Sequence, residues 1–326
     1  MRILAHIHTF NDASVIDRSL GAVLCQSRLP DEILIVDNAS TDSTLDRSFP
    51  SGVAVVRNHV NLGTSGAVNV GLNYAIQHGF DWVWVLDADC APRPDALAKL
   101  VDLWESLPEY LRKRTWRLSS LPLEHPPKSV TTPFSVGLTN YTGSTQPKPR
   151  HGVVFTDSGY HRVEPDENTA YYVCDSTIWS GCFFNLHAVK VVGLPSVDYV
   201  LDWGEYEYGY RGKRSGFLAF MHQRSFLDHN IRGHASFHFT PYKFGPLRFQ
   251  LVEMPPIRCY YVIRNTLFFW LYEFHAFSPR AILPRVFKML VLTLNFAIRP
   301  FGRRAEFVAC LRGFRDGLLK HMDRRF

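Results

Sequence analysis

Apolar runs alternate with segments of helical periodicity through the first 104 residues of the chain. The apolar runs are interpreted as buried strands at residues 2–8, 32–37, 53–57 and 82–86. The helical segments between and after them cover residues 13–26, 64–78 and 94–104. Strands that alternate with helices predict an α/β fold with a doubly wound, mainly parallel sheet. In such sheets ligands bind at the carboxyl ends of the strands, so polar residues at those ends are the first candidates for a site.

The pattern becomes irregular after this region. Residues 106–170 are rich in proline and polar residues, and we expect loops and short strands there, in an insertion that covers the substrate. Regular structure returns at residue 171, where the pattern predicts a strand, a turn, a strand and a helix.

Composition excludes several classes of protein. A hydrophobic fraction of 46% over 326 residues is enough for a sizeable core, which rules out a wholly disordered chain. The six cysteines are scattered and form no CxxC pair, which argues against a disulfide scaffold or a zinc ribbon. We therefore expect reduced, mostly buried thiols in a cytosolic protein.

The formal net charge of +6 is unevenly distributed. Residues 258–326 contain 13 Lys and Arg against 4 Asp and Glu, a net charge of +9, whereas the first 257 residues carry −3. The same C-terminal segment contains 14 of the 45 aromatic residues. A basic and aromatic segment of this kind is typical of a surface that binds an anionic partner.

A membrane surface is the partner that this segment favours. The N-terminus lacks the features of a signal peptide, and the longest apolar runs, at 267–272 and 289–298, are too short to span a bilayer. Helices that lie in the membrane surface fit the pattern better. The residues expected to face the headgroups are Arg280, Arg285, Lys288, Arg303 and Arg304. An amphipathic helical subdomain or a basic dimer interface is the alternative.

Two carboxylates follow the strand at 82–86. Asp87 and Asp89 are two residues apart, and Mg²⁺ or Mn²⁺ prefers a few carboxylates together with water and phosphate oxygens. Such a cation bridges a diphosphate and stabilises it as a leaving group. Two aspartates in a turn after a strand are also common without a metal. A neutral imidazole can complete the site, and the candidates are His229, with His234 and His238 as nearby competitors.

Asp37 stands at the end of the second predicted strand, in the segment VDNASTDST. Its carboxylate can accept a hydrogen bond from the N3–H of uracil or thymine. Ser40 or Asp42 has the simpler interpretation of a cap for the next helix. Asp37 is not needed for that cap and remains a candidate for base binding.

Glycines at 63, 66 and 71, in NLGTSGAVNVG, allow a close backbone approach to a ligand or to the sheet. The segment is not GxGxxG, and apart from the aspartates at 87 and 89 it lacks a suitable acidic residue about 20 positions later. A nicotinamide-binding Rossmann enzyme is therefore disfavoured.

The segment DWGEYEYGYR contains a second group of carboxylates. Asp202 and Glu205 are three residues apart, so they are expected to share one face of a helix. A carboxylate next to a sugar can take the proton from an acceptor hydroxyl. Acidic residues at a helix start also have a simpler role, the stabilisation of the helix dipole.

In this order the segments resemble the inverting glycosyltransferases of family 2, which have the GT-A fold. The resemblance rests on residues 9–12, VDNASTDST, NLGTSGAVNVG, the strand that ends in DAD, SGCFF, DWGEYEYGYR and a later histidine. It covers about residues 1–240, which implies a GT-A catalytic domain there and a basic, aromatic, helical region at 241–326. Residues 229–236 and 258–265 are similar to the subgroup of rhamnosyltransferases and galactofuranosyltransferases that act on bacterial surface polysaccharides.

The resemblance implies a role for each matching residue. Asp37 contacts the nucleotide base, and Asp87 touches the ribose or the metal. Asp89 coordinates Mg²⁺ or Mn²⁺, with His229 as a further metal or diphosphate ligand. The implied donor-binding set is Thr9, Asp37, Asn61, Gly63, Asp87 and Trp203.

The family pattern D-x-x-D-x-E is matched here by Asp202, Glu205 and Glu207, with a glutamate where the second aspartate is expected. The resemblance implies Glu205 as the catalytic base and Asp202 as the second candidate. Trp203 is expected to stack on a sugar, and Arg211 to order the acidic segment. The implied mechanism is one displacement with inversion, which needs one carboxylate base, unlike the two carboxylates of glycoside hydrolases.

The resemblance implies transfer of rhamnose or galactofuranose from a UDP- or dTDP-sugar to a lipid-linked glycan, in the synthesis of cell-surface polysaccharide. The expected location is the cytoplasm, peripheral on the inner face of the cytoplasmic membrane, with no nucleic-acid partner. The oligomeric state is left open.

Two other functions compete with this interpretation. A nucleotidyltransferase needs a basic, glycine-rich phosphate loop near the N-terminus, and HTFNDASVIDRSL contains none. A non-catalytic subunit that binds a nucleotide sugar and docks on a membrane or partner is the second alternative. The presence of both DAD and DWGE argues against it.

Overall fold

The computed structural model describes residues 1–124, 152–163, 168–229, 238–244, 247–274, 279–297 and 303–323. The strands are β1 (Ile3–Thr9), β2 (Glu32–Asp37), β3 (Val53–Arg57), β4 (Trp82–Asp87), β5 (Ala91–Pro92), β6 (Thr115–Glu124), β7 (Val153–Thr156), β8 (Gly159–Arg162), β9 (Tyr171–Cys174), β10 (Cys182–Asn185), β11 (Leu218–His229), β12 (His238–Phe244) and β13 (Leu247–Glu253). The helices are α1 (Ile16–Leu24), α2 (Gly63–Gln77), α3 (Ala96–Ser106), α4 (Glu109–Arg112), α5 (Leu186–Val192), α6 (Gly204–Arg214), α7 (Pro256–Phe268), α8 (Pro279–Ala297) and α9 (Arg304–Leu318). A 3₁₀ turn covers Ser43–Leu45, and a π-helical turn covers Phe269–Glu273.

Within the described residues the main sheet has the order β3-β2-β1-β4-β10-β6-β11-β5, with β9 paired to β11. β1 runs parallel to both β2 and β4, and β2 runs parallel to β3. β10 is antiparallel to β4 and β6, and β6 runs parallel to β11. The predicted alternation of strands and helices and the mainly parallel sheet are therefore confirmed.

The register brings the polar strand ends to one edge of the sheet. Thr9 lies opposite Asp37 on β2, and His8 lies opposite Asp87 on β4. Because parallel strands point the same way, the segments that follow them emerge together, and the candidate residues after β1, β2 and β4 share this edge.

The sheet is covered by helices on both faces. Alternate residues of β1 point to opposite sides, as the twofold period of a strand requires. Ile3 and Ala5 join the core that contains residues of α1 and α3, whereas Leu4 joins the core beneath α2. All six cysteines are free thiols and five of them are buried, as expected from their scattered positions.

The ten-residue strand β6 corrects the expectation of loops and short strands in residues 106–170. β6 lies in the middle of the sheet, between β10 and β11. Its apolar pattern is interrupted by Arg117, which is nevertheless fully buried. The guanidinium lies 5.0 Å from the Trp116 ring and donates a hydrogen bond of 2.9 Å to the Asp175 carbonyl oxygen. Residues 125–151 of the expected insertion lie outside the described residues.

The C-terminal helices pack closely on one another and on the preceding domain. α7 and α9 approach so closely that a Cβ atom at Gly313 would lie 2.6 Å from the Tyr260 carbonyl oxygen. The apolar core of these helices also includes Val200, from the loop that precedes α6. None of the helices in the described part of the chain combines the length and the hydropathy needed to cross a bilayer. The predicted domain boundary at residue 240 stays a prediction.

A buried histidine stabilises the irregular part of β11. The pairing with β6 shifts register between His222 and Phe226. The Nδ1 atom of His222 accepts hydrogen bonds from the backbone N–H groups of Arg224, at 3.0 Å, and Ser225, at 3.1 Å. Burial, together with the positive charges of Lys99 and Arg224, lowers the pKa of His222 to about 4.

We expect the free energy of unfolding to fall by about 1–2 kcal/mol as the pH decreases from about 6.5 towards 4, through this histidine alone. The unfolded chain binds a proton near the ordinary histidine pKa, whereas folded His222 stays neutral to lower pH. The measurement is urea unfolding at several pH values for the wild type and His222→Asn, which keeps an acceptor that does not titrate. If the two proteins show the same pH slope, His222 is not the titrating group.

Candidate active site

Two carboxylates, a thiol and an imidazole meet where β4 and β11 end. Asp87, Asp89, Cys90 and His229 each place one potential ligand atom within 4.8 Å of the others. The short strand β5 explains this meeting, because it follows the turn after β4 and pairs with the end of β11. The predicted metal residues are therefore brought together across about 140 residues of sequence. The side chains of the two competing histidines, His234 and His238, lie outside the part of the chain that the structure describes.

Asp87 is the most connected residue of this cluster. Its carboxylate lies 2.5 Å from Nε2 of His8 and 3.3 Å from Nε2 of His229, and it accepts a hydrogen bond from the Ser180 hydroxyl. Burial alone would raise the pKa of Asp87. The neighbouring imidazoles of His8 and His229, with their hydrogen bonds, outweigh burial and hold this pKa well below its usual range. Asp87 is therefore ionised at neutral pH.

The residues of the cluster fit a hard divalent cation. Burial raises the pKa of Asp89, a shift that His229 opposes and Asp87 increases. A divalent cation removes the repulsion between the two carboxylates. The Nδ1 atom of His229 is buried without a hydrogen-bond partner among the described residues. Burial and the nearby carboxylates raise the pKa of the Cys90 thiol well above its usual value, so the expected ligands are oxygen and imidazole nitrogen.

Asp37 lies at the predicted position, but its side chain has no exposed surface. Both carboxylate oxygens accept from the backbone N–H of Ser40, at 3.2 and 3.3 Å, and one lies 3.3 Å from Nε of Arg57. In this arrangement Asp37 orders the loop after β2, and a direct contact with a nucleotide base requires this segment to move. Asp42 caps the following 3₁₀ turn by accepting from the Thr44 N–H, as the sequence suggested.

Thr9 is buried at the end of β1. Its hydroxyl donates a 3.0 Å hydrogen bond to Asp12, which also accepts from the Phe10 N–H. Asn11 adopts a left-handed backbone with φ of 56°, and its side-chain oxygen accepts from the Thr41 N–H. The loops after β1 and β2 are thereby tied together, and Thr9 contributes by ordering the first of them.

Asn61 and Gly63 form the turn that begins α2. The side-chain oxygen of Asn61 accepts from the Gly63 N–H at 2.8 Å, and the Gly63 carbonyl accepts from Asn38 at 3.1 Å. Gly63 has φ of 69°, and a Cβ atom there would lie 2.0 Å from the Val200 carbonyl oxygen. Glycine is required at 63 because the start of α2 touches the backbone before α6. Gly71 faces the sheet instead, and the ring of His6 occupies the space that a Cβ atom at this position would need.

The acidic segment corrects the expectation of one helical face for Asp202 and Glu205. Asp202 and Trp203 have left-handed φ values of 59° and 70°, and α6 begins only at Gly204. Glu205 and Glu207 therefore lie in the first turn of α6, while Asp202 belongs to the loop before it. Such a backbone is costly for residues other than glycine, so other contacts must stabilise it.

The stabilising contacts come from α7. Asn265 donates from its amide nitrogen to the carbonyl oxygens of Leu201, at 2.6 Å, and Asp202, at 3.0 Å. Arg258 donates to Oδ1 of Asp202 at 2.6 Å. The second oxygen of Asp202 is buried without a hydrogen-bond partner among the described residues. The sequence pattern of residues 258–265 assigns neither Arg258 nor Asn265 to the site.

The other acidic residues of the segment have distinct neighbours. Glu207 forms a bidentate pair with Arg211, at 2.7 and 2.9 Å, which agrees with the ordering role expected for this arginine. The backbone carbonyl of Glu205 accepts from the Ser176 hydroxyl at 2.6 Å. Because Ser180 contacts Asp87, the loop between β9 and β10 touches both the start of α6 and the carboxylate cluster.

Trp203 is half-buried in an aromatic cluster. Its ring centroid lies 5.3 Å from that of Tyr206, 5.1 Å from that of Phe269 and 6.0 Å from that of Trp270. The residue expected to stack on a sugar thus packs against the C-terminal region.

Comparison with known proteins agrees with this geometry. A family model described as "Glycosyl transferase family 2" matches residues 5–162, which include β1 to β4 and the DAD turn. Galactofuranosyltransferase GlfT1 of Mycobacterium tuberculosis (strain ATCC 25618 / H37Rv) is 30% identical over 91 residues, 27% of this chain and 30% of that protein. Undecaprenyl-phosphate mannosyltransferase of Micrococcus luteus is 26% identical over 174 residues, 51% of this chain and 68% of that protein. The chain thus spans less than a third of the galactofuranosyltransferase that it matches.

Solved structures share the fold. The mannosyltransferase PcManGT from Pyrobaculum calidifontis, in complex with GDP-Man and Mn²⁺, superposes with a TM-score of 0.53 at 14% identity, covering 98% of this chain and 87% of that one. GalNAc-T7 with UDP, GalNAc and Mn²⁺ also gives 0.53, at 16% identity, covering 70% of this chain and 43% of that one. At these identities the likeness concerns the fold alone. The family match over residues 5–162, just under half of the chain, and the shared fold make this chain similar to the glycosyltransferases of family 2.

Proposed function

We propose that this protein is an inverting, divalent-metal-dependent glycosyltransferase that moves a sugar from a nucleotide-diphosphate donor to a lipid-linked glycan. The observation that carries the proposal is the convergence of Asp87, Asp89 and His229 at the carboxyl edge of the sheet. This edge is where α/β sheets bind ligands.

The carboxylate cluster is the proposed diphosphate end of the donor site. Asp89 and His229 would hold Mg²⁺ or Mn²⁺, with Asp87 beside them, and the bound cation would neutralise charge on the departing diphosphate. His8 and Ser180 fix the orientation of the Asp87 carboxylate. These contacts support a rigid, preorganised site.

The loops after β1, β2 and β3 are the proposed nucleoside end of the same site. Thr9, Asp37, Asn61 and Gly63 shape this end through hydrogen bonds within each of these loops. The proposed nucleotide of the donor is UDP or dTDP. Rhamnose or galactofuranose is the proposed sugar, and the similarity to a protein named galactofuranosyltransferase supports the second.

Glu205 is the proposed base. Its carboxylate would take the proton of the acceptor hydroxyl, while that oxygen attacks the anomeric carbon from the face opposite the diphosphate and inverts the configuration. Asp202 has an ion pair with Arg258, and Glu207 is held by Arg211. The match of Glu205 to the family pattern and its place in the first turn of α6 support it as the base, with Asp202 as the second candidate. Trp203 is the proposed sugar-stacking residue.

A lipid-linked acceptor places the proposed enzyme at a membrane. The relative named undecaprenyl-phosphate mannosyltransferase supports this acceptor class. The net charge of +9 in residues 258–326 supports binding to the anionic inner face of the cytoplasmic membrane, from the cytoplasm and without nucleic acid.

Replacement of Asp89 tests the metal role. Asp89→Asn should lower Mn²⁺-dependent turnover of UDP- or dTDP-sugars by about 100-fold or more, since one charged ligand is lost while the volume is kept. Chelation of the metal should abolish wild-type turnover, and added Mn²⁺ should restore it. Asp102→Asn, at an exposed position of α3, is the matched control. Equal turnover in the wild type and Asp89→Asn would exclude the metal role.

Replacement of Glu205 tests the base. Glu205→Gln should reduce kcat for transfer by about 10²–10⁴-fold, because the amide cannot accept the proton. Donor affinity, measured by calorimetry, should stay unchanged. Glu109→Gln, on the exposed helix α4, is the control. Normal transfer by Glu205→Gln would favour Asp202 as the base or the non-catalytic alternative.

Replacement of Asn265 tests whether α7 orders the acidic segment. Asn265→Ala removes both hydrogen bonds to the 201–202 carbonyl groups, and we expect kcat to fall about tenfold or more with little change in the KM for donor. Arg258→Lys keeps the charge opposite Asp202 and should have a smaller effect. Thermal unfolding identifies variants that lose the fold. A folded Asn265→Ala variant with wild-type kcat would contradict the positioning role.

A further inference from the structure

We propose that the exposed face of α8 is the surface by which this protein lies on an anionic lipid bilayer, next to the start of α6. The inference rests on the proposed function for its acceptor, and it adds which surface of the chain faces the lipid.

The two faces of α8 differ in their surroundings. The inward face contributes Ile282, Met289 and Phe296 to the interior of the protein. The outward face carries five large apolar side chains that are between 46% and 67% exposed: Leu283, Phe287, Leu290, Val291 and Leu294. Their spacing of three, four or seven residues places them along one side of the helix. A contiguous apolar face of this kind indicates an interaction surface rather than scattered exposed residues.

The charge around this face indicates which kind of partner it binds. Residues 274–305 contain six Lys and Arg and no Asp or Glu. Arg280 and Lys288 of α8 and Arg304 at the start of α9 are exposed. An apolar helix face with cations nearby, on a helix that has no Asp or Glu of its own, complements the acyl boundary and the anionic headgroups of a bilayer.

The rest of α8 is consistent with a helix that lies in the interface. Pro284 interrupts its hydrogen bonding, and one side of the helix packs on protein. Its length and hydropathy are below those of a membrane span. The helix would therefore sit parallel to the bilayer, with only its outward face among the lipids.

α8 also connects to the proposed site of transfer. The guanidinium of Arg285 lies 4.4 Å from the Trp270 ring, on the inward side of the helix. Trp270 in turn lies 6.0 Å from Trp203, two residues before Glu205. A bilayer against α8 would thus be separated from the start of α6 by one aromatic layer, which suits an acceptor whose lipid stays in the membrane.

The experiment is vesicle flotation with phosphatidylcholine alone and with added phosphatidylglycerol. The wild type should bind the anionic vesicles, and salt should weaken this binding. The double variant Phe287→Ser/Leu294→Ser should lose about tenfold or more of the binding. The control Val55→Ser/Val191→Ser changes two exposed apolar residues of the sheet domain and should bind like the wild type. Wild-type vesicle binding by the α8 variant would overturn the proposal.

A second measurement separates this proposal from the proposed function. Hydrolysis of the donor without acceptor should be unchanged in the α8 variant, since the substitutions lie outside the carboxylate cluster. Absence of donor turnover in the wild type, with vesicle binding intact, would contradict the proposed function but not the proposed docking surface.

Sedimentation velocity tests the competing occupant of this surface, which is a second copy of the chain. A wild-type dimer that the α8 variant converts to a monomer, without loss of vesicle binding, would assign this face to self-association and overturn the proposal.

Discussion

The carboxylate of Asp87 is the point on which the proposed site depends. It lies at the end of β4, between an imidazole from β1 and another from β11, and it accepts from a serine of the loop between β9 and β10. Four separate parts of the chain must be in place for this contact set to form. The ionised carboxylate is stabilised in this half-buried position because these groups surround it. Assembly of the site therefore requires the folded sheet.

Much of the first half of the fold follows from sequence, because buried parallel strands are short apolar runs and their ends carry the polar residues. The prediction of loops and short strands over the residues of β6 was wrong, and the error has a physical reason. Arg117 and three neighbouring polar residues break its apolar pattern, and the arginine is buried by contacts with Trp116 and with a distant carbonyl oxygen. In the sequence, an arginine that is buried in this way looks the same as an exposed one.

The acidic segment shows a second limit of sequence reasoning. Spacing alone placed Asp202 and Glu205 on one helical face, but the left-handed backbone at 202 and 203 starts the helix later. Asn265 and Arg258 stabilise this backbone from about 60 residues away, so no local pattern encodes it. The residue types of the site were predictable, whereas the contacts that orient Asp37, Thr9 and Asp202 required the tertiary structure.

The C-terminal region has two roles. α7 holds the loop before α6, and α8 presents an apolar face bordered by cations. The basic, aromatic C-terminal region is thereby linked to both the proposed chemistry and the proposed location of the acceptor. Within this region, Phe269 and Trp270 pack against Trp203 of the acidic segment.

The most direct test of the central claim is an electron spin echo measurement on the protein with Mn²⁺ and UDP or dTDP. The account predicts hyperfine coupling of the Mn²⁺ to one histidine nitrogen and to diphosphate phosphorus. The nitrogen coupling should disappear in His229→Gln and persist in His59→Gln, a histidine on the exposed loop after β3. If Mn²⁺ does not bind, or if the nitrogen coupling survives in His229→Gln, the carboxylate cluster is not the metal site proposed here.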